Sequence, residues 1–405
     1  MAVAWQAPEF LYPVAGVRLG VAEAAIKKPG RKDLLLIELA PGTRVAGVFT
    51  QNAFAAAPVL VCRDVLASGA TVRALVVNAG NANAATGQGG LDDARLVAGS
   101  VAAALGCEAG QVLPFSTGVI GQRLPVARMT AAVPAAKADL RTDGWLAAMR
   151  AIMTTDTVGK GATRRVQTSQ GEVTVTGIAK GVGMIHPDMA TMLAYIGTDA
   201  RLSPAAVDAA LKTAVSRSFN CVTVDGDTST NDSCLLFATA QVGGADIDTA
   251  HADYAPIYAA IEQVCLELAH AIVRDGEGAT KFVTINVTGA TDEAAARHVA
   301  LSVAHSPLVK TALFASDANW GRIVMAIGKS GVPVDPAKVD LWLDDVSLLR
   351  GGQPHPEYHD DLGAAVVAKA EFTIRIGLGA GDASATVWTC DFSYDYVRIN
   401  AEYRT

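Results

Sequence analysis

A mixed α/β or α+β fold is what this sequence predicts, on three observations. Short β-branched or leucine-rich runs recur along the chain. Alanine-rich stretches with apolar residues at three-to-four spacing lie between them. Hydrophobic residues make up 51% of the 405 and charged ones 18%, with mean hydropathy +0.29, a balance that demands a large buried core and excludes disorder. The chain is roughly two to three times the usual domain length, so at least two structural units are expected.

In chain order, strands are predicted at Leu34 to Leu39, Val45 to Thr50, Ala74 to Val77, Glu172 to Ile178, Leu235 to Ala240 and Phe282 to Val287. Helices are predicted at Leu91 to Leu105, Asp143 to Met153, Ala205 to Ser216 and Asp253 to Val273, the third opened by Ser203 as N-cap and Pro204 at the first helical position. Near the end, Phe372, Ile374, Ile376 and Leu378 alternate with polar residues. Gly379 to Asp382 then leads into Ala383 to Phe392, which predicts an antiparallel hairpin. Leu349 to Asp361, with Gly351-Gly352 and two prolines, is the best loop candidate, and no repeat or low-complexity linker marks a domain boundary.

The formal net charge of -7 comes from 33 Lys plus Arg against 40 Asp plus Glu, with no basic run longer than Lys27-Lys28, so no nucleic-acid footprint is expected. The first residues show no basic n-region and no apolar h-region, and no uncharged window reaches the length of a bilayer span; a cytoplasmic protein without a membrane partner is expected. Six scattered cysteines without a C-x-x-C read as small buried hydrophobes.

The segment Lys180-Gly181-Val182-Gly183-Met184-Ile185-His186-Pro187-Asp188-Met189-Ala190-Thr191-Met192-Leu193 is the densest unusual stretch. A small residue before a hydroxyl residue, Ala190-Thr191, suits an autocatalytic N-to-O acyl shift. The threonine amine freed by ester hydrolysis can then serve as base for its own hydroxyl. Taken alone, however, a threonine opening a strand is ordinarily a packing residue. In Pro114-Phe115-Ser116-Thr117-Gly118-Val119, the Thr117 hydroxyl and Gly118 amide can donate to an oxyanion, although an ST-turn closing a strand has the same residues.

Met153-Thr154-Thr155-Asp156-Thr157 clusters hydroxyls after a helix. In Arg274 to Lys281, Gly276 fits a helix C-cap, and Glu277 between two glycines is either an ammonium-binding carboxylate or a solvated loop acid. Asp225 to Asp232 lacks the closing glutamate of an EF-hand and reads as a polar loop lining a site. Gly328-Lys329-Ser330 lacks the first glycine of a phosphate loop, His355 and His359 lie in a proline-containing loop, and His186 before Pro187 reads as a turn residue.

Together these stretches resemble the glutamate N-acetyltransferase family, also called ornithine acetyltransferases, of arginine biosynthesis. The resemblance runs from Gly47-Val48-Phe49-Thr50-Gln51-Asn52 and Ala57-Pro58-Val59, through Val77-Asn78-Ala79-Gly80-Asn81-Ala82-Asn83-Ala84, to Tyr396 through Thr405, and is most specific over Lys180 to Leu193. It implies a two-layer β core flanked by helices, of N-terminal-nucleophile type, with a smaller C-terminal α/β domain at about 285–405.

It also implies a proenzyme cut between Ala190 and Thr191 into an α chain of 1–190 and a β chain of 191–405, assembled as α2β2. Thr191 would carry acetyl from N-acetylornithine to glutamate by a ping-pong cycle. Thr117 and Gly118 fall on the oxyanion positions, and Thr157, Lys180, Thr191, Glu277, Asn400 and Thr405 on the substrate contacts, with Thr154 and Thr155 offering hydroxyls beside Thr157.

No cofactor or metal is implied, and acetyl-CoA stays open as a second donor. Two departures are visible: Val182 replaces a small polar residue between two glycines, bearing on the rate of self-cleavage, and Gly159 stands where a proline is usual, which is expected to loosen the Thr157 loop. The rival readings are an N-terminal-nucleophile aminopeptidase or amidase, in which water resolves the acyl enzyme, and an unprocessed small-molecule binding protein.

Overall fold

The computed structural model describes residues 2–186 and 192–402, in two units that interleave along the chain. The larger is formed by Gln6–Asn220 and Asp227–Ile272. Its elements are β1 (Val17–Ala22), β2 (Leu34–Leu39), β3 (Arg44–Phe49), α1 (Ala57–Ala67), β4 (Ala74–Asn81), α2 (Gly87–Leu105), β5 (Val112–Val119), α3 (Val126–Ala138), α4 (Trp145–Ala151), β6 (Lys160–Thr168), β7 (Gly171–Lys180), β8 (Leu193–Thr198), α5 (Pro204–Arg217), β9 (Ser233–Ala238) and α6 (Tyr254–Arg274).

These strands make two sheets, in the orders β1-β2-β4-β5 and β3-β9-β8-β7-β6. β4 runs parallel to β5 and β8 parallel to β9, and the other neighbours are antiparallel. The expected two-layer β core is present. Leu35, Ile37, Leu75, Val77, Leu113 and Phe115 of one sheet share a core with Ile178, Leu193, Tyr195, Leu235 and Phe237 of the other.

The residues between them in sequence, Leu34, Leu36, Ala74, Val76 and Val112, face the opposite way and pack on α2 and α3. Burial on both faces explains why β2 reads as an unbroken apolar run rather than an alternation. Each large side chain in these layers stabilises the fold by about 1.5–3 kcal/mol. Ser203 caps α5 by accepting from the Ala206 N–H at 3.2 Å, with Pro204 at the first position.

α6 is long and apolar enough to cross a bilayer by length and composition, its carboxylates being diluted over 21 residues. In this fold it is a core helix. Ile257, Ile261, Val264, Leu268 and Ile272 are buried, and a Cβ at Gly177 of β7 would lie 2.8 Å from Val264 Cγ1.

The smaller unit comprises the N-terminal residues before Gln6, Cys221–Gly226 and the chain from Val273 onward. It contains β10 (Phe282–Ala290), α7 (Glu293–Ala304), α8 (Pro307–Phe314), α9 (Trp320–Gly328), β11 (Asp340–Leu343), β12 (Val346–Arg350), β13 (Gln353–Pro354), α10 (Asp360–Val367), β14 (Glu371–Gly377), β15 (Ala383–Cys390) and α11 (Tyr394–Ala401). One sheet runs β13-β12-β11-β14-β10-β15. Its core joins Val283, Ile285 and Val287 of β10 to Phe372, Ile374 and Ile376 of β14 and to Val299, Ala300 and Val303 of α7.

Three local expectations are corrected here. β14 and β15 are strands but not a hairpin, because β10 lies between them, parallel to β14 and antiparallel to β15. The Gly379 to Asp382 link therefore arches over the end of β10, its Ala380 and Gly381 N–H groups donating to the Gly289 carbonyl at 2.7 and 3.0 Å. The predicted loop at Leu349 to Asp361 begins as a hairpin, with Gly351 (φ 55°) and Gly352 (φ 72°) as the turn between β12 and β13. Gly276 is not a left-handed helix cap. It is pressed close, since a Cβ there would lie 3.0 Å from the Val273 carbonyl oxygen and 3.1 Å from Cys390 Sγ, and the positive φ belongs to Gly278 at 71°.

Candidate active site

In the larger unit, Thr117 and Lys180 come together from strands of different sheets. Thr117 is on β5 and Lys180 is the last residue of β7, both buried, and the Lys180 ammonium donates to Thr117 Oγ1 at 3.1 Å. Thr117 thus lies within a strand that continues to Val119, not at a strand-ending turn. Gly118 has φ +133°, and a Cβ there would lie 2.2 Å from the Gly80 carbonyl carbon, so the β4–β5 pair closes to a distance only glycine allows. The register shifts at Asn81, a bulge that re-aims the strand end.

Buried amides hold this end in place. Asn78 Nδ2 donates to the Asn81 carbonyl at 2.8 Å and Asn78 Oδ1 accepts from Ser116 Oγ at 2.6 Å. Asn83 Nδ2 donates to the Gly90 carbonyl at 2.9 Å. Asn231 Nδ2 bridges the carbonyls of Ala82 (2.6 Å) and Ser116 (2.8 Å), tying the residues before β9 to both strands.

Behind Lys180 sits a buried ion pair. Asp156 Oδ1 accepts from Lys160 Nζ at 2.8 Å, both side chains being fully buried, and from the Gly181 N–H at 2.9 Å. Asp156 Oδ2 accepts from the Thr154 N–H at 3.0 Å. Burial alone would push this carboxyl up, but the Lys160 and Lys180 ammoniums and the hydrogen bonds from Lys160 and Thr154 outweigh it and hold the group well below the usual carboxylate range. Thr157 is exposed on the turn beyond, and Thr154 and Thr155 are half-buried.

In the smaller unit, Glu277 and Asn400 meet. Asn400 Nδ2 donates to Glu277 Oε2 at 2.9 Å and to the Tyr396 carbonyl at 3.0 Å. Glu277 is only 9% exposed, so it is not a solvated loop acid. α11 is seated on its turn: Ser393 caps the helix through the Tyr396 N–H and donates its hydroxyl to the Gly278 carbonyl at 2.6 Å. Ala190, Thr191 and Thr405 lie outside the described residues.

The model of the ArgJ family matches residues 18–405. The chain belongs to the ArgJ family. It is 54% identical over 396 residues to the arginine biosynthesis bifunctional protein ArgJ of Methylococcus capsulatus, covering 98% of this chain and 97% of that one. It is 51% identical over 397 residues to the protein of the same name from Pseudomonas syringae, covering 98% of each. A crystal structure of arginine biosynthesis bifunctional protein ArgJ from Bacillus halodurans aligns with TM-score 0.50 and 38% identity, over 51% of this chain and 97% of that one.

In this ArgJ-family chain three further residues adjoin the candidate site: Asp156, which no motif assigned, and Asn231 and Asp232, which belong to the polar stretch expected to line a site. The last accepts the Met192 N–H on Oδ1 at 3.0 Å, one residue after Thr191 in the chain. Its Oδ2 is buried without a hydrogen-bond partner among the described residues. Burial pushes the Asp232 carboxyl well up, against the opposing pull of the Met192 N–H and the Lys180 charge.

A carboxyl raised in the fold contributes stability below its unfolded value of about 3.9 that is lost as pH rises toward the folded value. Asp232→Asn keeps the acceptor for Met192 and removes the titration. Its thermal midpoint relative to the parent is therefore expected to climb between pH 4 and pH 8. A flat difference would mean that the carboxyl is not raised.

The departures also take their places. Val182 is buried. Gly159 is closely packed, since a Cβ there would lie 2.5 Å from Met149 Cε, and Asp156 holds the Gly181 N–H just beyond β7.

Proposed function

We propose that this chain is a self-processing acetyltransferase of arginine biosynthesis that moves acetyl from N-acetylornithine to glutamate. The observation that carries the reading is the buried contact between Lys180 and Thr117, at a strand end that pairs Lys180 with Leu193, two residues past Thr191 in the chain. The Lys180 ammonium occupies a lone pair of the Thr117 oxygen, which leaves the hydroxyl proton free to donate to a developing oxyanion beside the Gly118 amide.

In the self-processing step, Thr191 Oγ attacks the Ala190 carbonyl, the Thr191 nitrogen leaves with the hydroxyl proton, and water hydrolyses the ester. The fragments are 1–190 and 191–405. The solved Bacillus halodurans chain, covered for 97% of its length by 51% of this one, has the size expected of one fragment of such a protein.

In turnover, the freed Thr191 amine takes the proton from its own hydroxyl, Oγ attacks the acetyl carbonyl, and ornithine leaves with that proton. The glutamate amine then attacks the acetyl ester and regenerates the hydroxyl. Lys180 suits the substrate α-carboxylate, and Glu277, oriented by Asn400, suits an ammonium group. Thr157 and Thr405 complete the proposed contacts. The donor is itself a substrate, so the steps call for no metal or cofactor.

An α2β2 assembly in the cytoplasm belongs to the same reading. The six cysteines are free, which fits a reducing compartment. A native mass of about twice 41.7 kDa is expected for the assembly.

Initial rates with both substrates varied test the cycle: parallel reciprocal lines are expected, and lines intersecting left of the axis would overturn the acetyl-enzyme. Thr117→Ala is expected to lower turnover about 10²-fold or more; unchanged turnover would remove the hydroxyl from the site.

A further inference from the structure

Asp232 stands immediately before β9, and together with Ser233 it holds both backbone groups of Met192. Asp232 Oδ1 accepts the Met192 N–H at 3.0 Å, and the Ser233 N–H donates to the Met192 carbonyl at 3.0 Å. From the β3 side, the Thr50 N–H donates to the Asp232 carbonyl at 3.0 Å. The residue is fully buried, and its second carboxyl oxygen, Oδ2, has no hydrogen-bond partner among the described residues. A buried polar oxygen left in that state costs stability, so a fold that keeps it there invites a chemical reason.

Covalent geometry brings a reacting atom close by. Only the Cα and the carbonyl carbon of Thr191 separate its nitrogen from the Met192 nitrogen, so the two nitrogens are within about 4 Å of each other in any conformation. The carboxyl that holds the second nitrogen is thus one residue from the first, the atom that must leave in the proposed cut. A departing amide nitrogen needs a proton, and a neutral carboxylic acid can supply it.

The surroundings divide the two buried acids of the site. The Lys180 ammonium at the end of β7, the Met192 N–H and Ser229 in the loop before β9 all favour an ionised Asp232, but burial outweighs them. Arg63 of α1 is engaged by the Thr50 carbonyl. Asp156 is instead held as a carboxylate by Lys160 and has no proton to give. In Asp232 the two oxygens have the two environments a neutral acid requires: Oδ1 accepts, and Oδ2 can carry the proton.

We propose that Asp232 is the proton donor of the self-processing step, Oδ1 holding the Met192 N–H while Oδ2 delivers its proton to the departing Thr191 nitrogen. The proposal rests on the self-processing reading above and adds a residue to it. Thr191 Oγ attacks the Ala190 carbonyl carbon, the C–O bond forms and the C–N bond breaks. Asp232 gives its proton to the nitrogen and takes up the one that the hydroxyl loses. One proton has then passed from oxygen to nitrogen, the acid is restored, and water hydrolyses the ester as before.

The test follows the cut itself. The full chain and its Asp232→Asn variant are made by cell-free synthesis, synthesis is stopped, the chains are moved to buffers between about pH 6 and about pH 9, and intact mass is read over time. Asparagine keeps the acceptor for Met192 but is no acid. The variant is therefore expected to fold and to divide at Ala190-Thr191 at least about 10²-fold more slowly. The parent's rate should fall as pH rises through the point at which Asp232 ionises, and the variant's residual rate should not follow that fall. Asp232→Glu restores an acid and is expected to regain part of the rate together with the parent's pH profile, which keeps the test decisive should the asparagine variant fail to fold.

An asparagine variant that divides at the parent's rate would overturn the proposal. So would a slow asparagine variant whose pH profile matches the parent's, since Asp232 would then only hold Met192 in place, or a folded glutamate variant without the parent's profile. A parent chain that is never cut would contradict the proposed function instead, so the two failures are told apart.

Discussion

Thr191→Ala is expected to remain a single 41.7 kDa chain that neither divides nor transfers acetyl groups. The proposed cut needs the hydroxyl to attack the Ala190 carbonyl, and the cycle needs it again to hold the acetyl group. A nucleophile that forms the covalent bond is not replaced by binding, so a loss of at least about 10⁴-fold is expected. The fold around it should survive. Met192 is held by Asp232 through its N–H, and the Ser233 N–H donates to its carbonyl at 3.0 Å, contacts that do not use the residue 191 side chain. Thr191→Ser keeps the hydroxyl and is expected to restore the cut. A Thr191→Ala protein that still splits at 190–191, or still exchanges acetyl, would remove the threonine from both roles.

Asp156→Ala is expected to cost about 3–5 kcal/mol, because it leaves the Lys160 ammonium buried without its counter-charge. The same change frees the Thr154 and Gly181 N–H groups from their common acceptor and so loosens the residue after Lys180. Stability and turnover should fall together. The sign of the pH dependence follows from the depressed carboxyl. A group lowered in the fold contributes stability above its unfolded value of about 3.9, and that contribution is lost as pH falls toward the folded value. The difference in thermal midpoint between parent and variant should therefore be largest near neutral pH and shrink in strong acid. A variant as stable as the parent at pH 7 would mean that Lys160 is neutralised by another group.

Strands and helices were legible where a local pattern reports burial. β2 shows its two-sided burial as a continuous leucine run, and α5 shows its start in Ser203-Pro204. Pairing was not legible in the same way. The alternation at Phe372 to Leu378 marks a strand with one buried face, but nothing local says that β10, some 80 residues earlier, separates β14 from β15.

The candidate site divides likewise. Thr117, Gly118 and Glu277 were legible as candidates beside ordinary structural readings, Lys180 and Asn400 took their roles from motif resemblance, and the structure brings Thr117 to Lys180 and Glu277 to Asn400. Asp156, Asn231 and Asp232 act across 25, 115 and 40 residues of sequence. The polar stretch Asp225 to Asp232 was legible as lining a site, but which of its side chains the fold buries, and against what, was not.

The most direct test of the central claim is the intact mass of the purified protein, measured before and after brief incubation with N-acetylornithine. The account predicts two fragments divided at Ala190-Thr191, with the 191–405 fragment gaining one acetyl mass that glutamate then removes. A single uncut chain whose mass is unchanged by N-acetylornithine would contradict it.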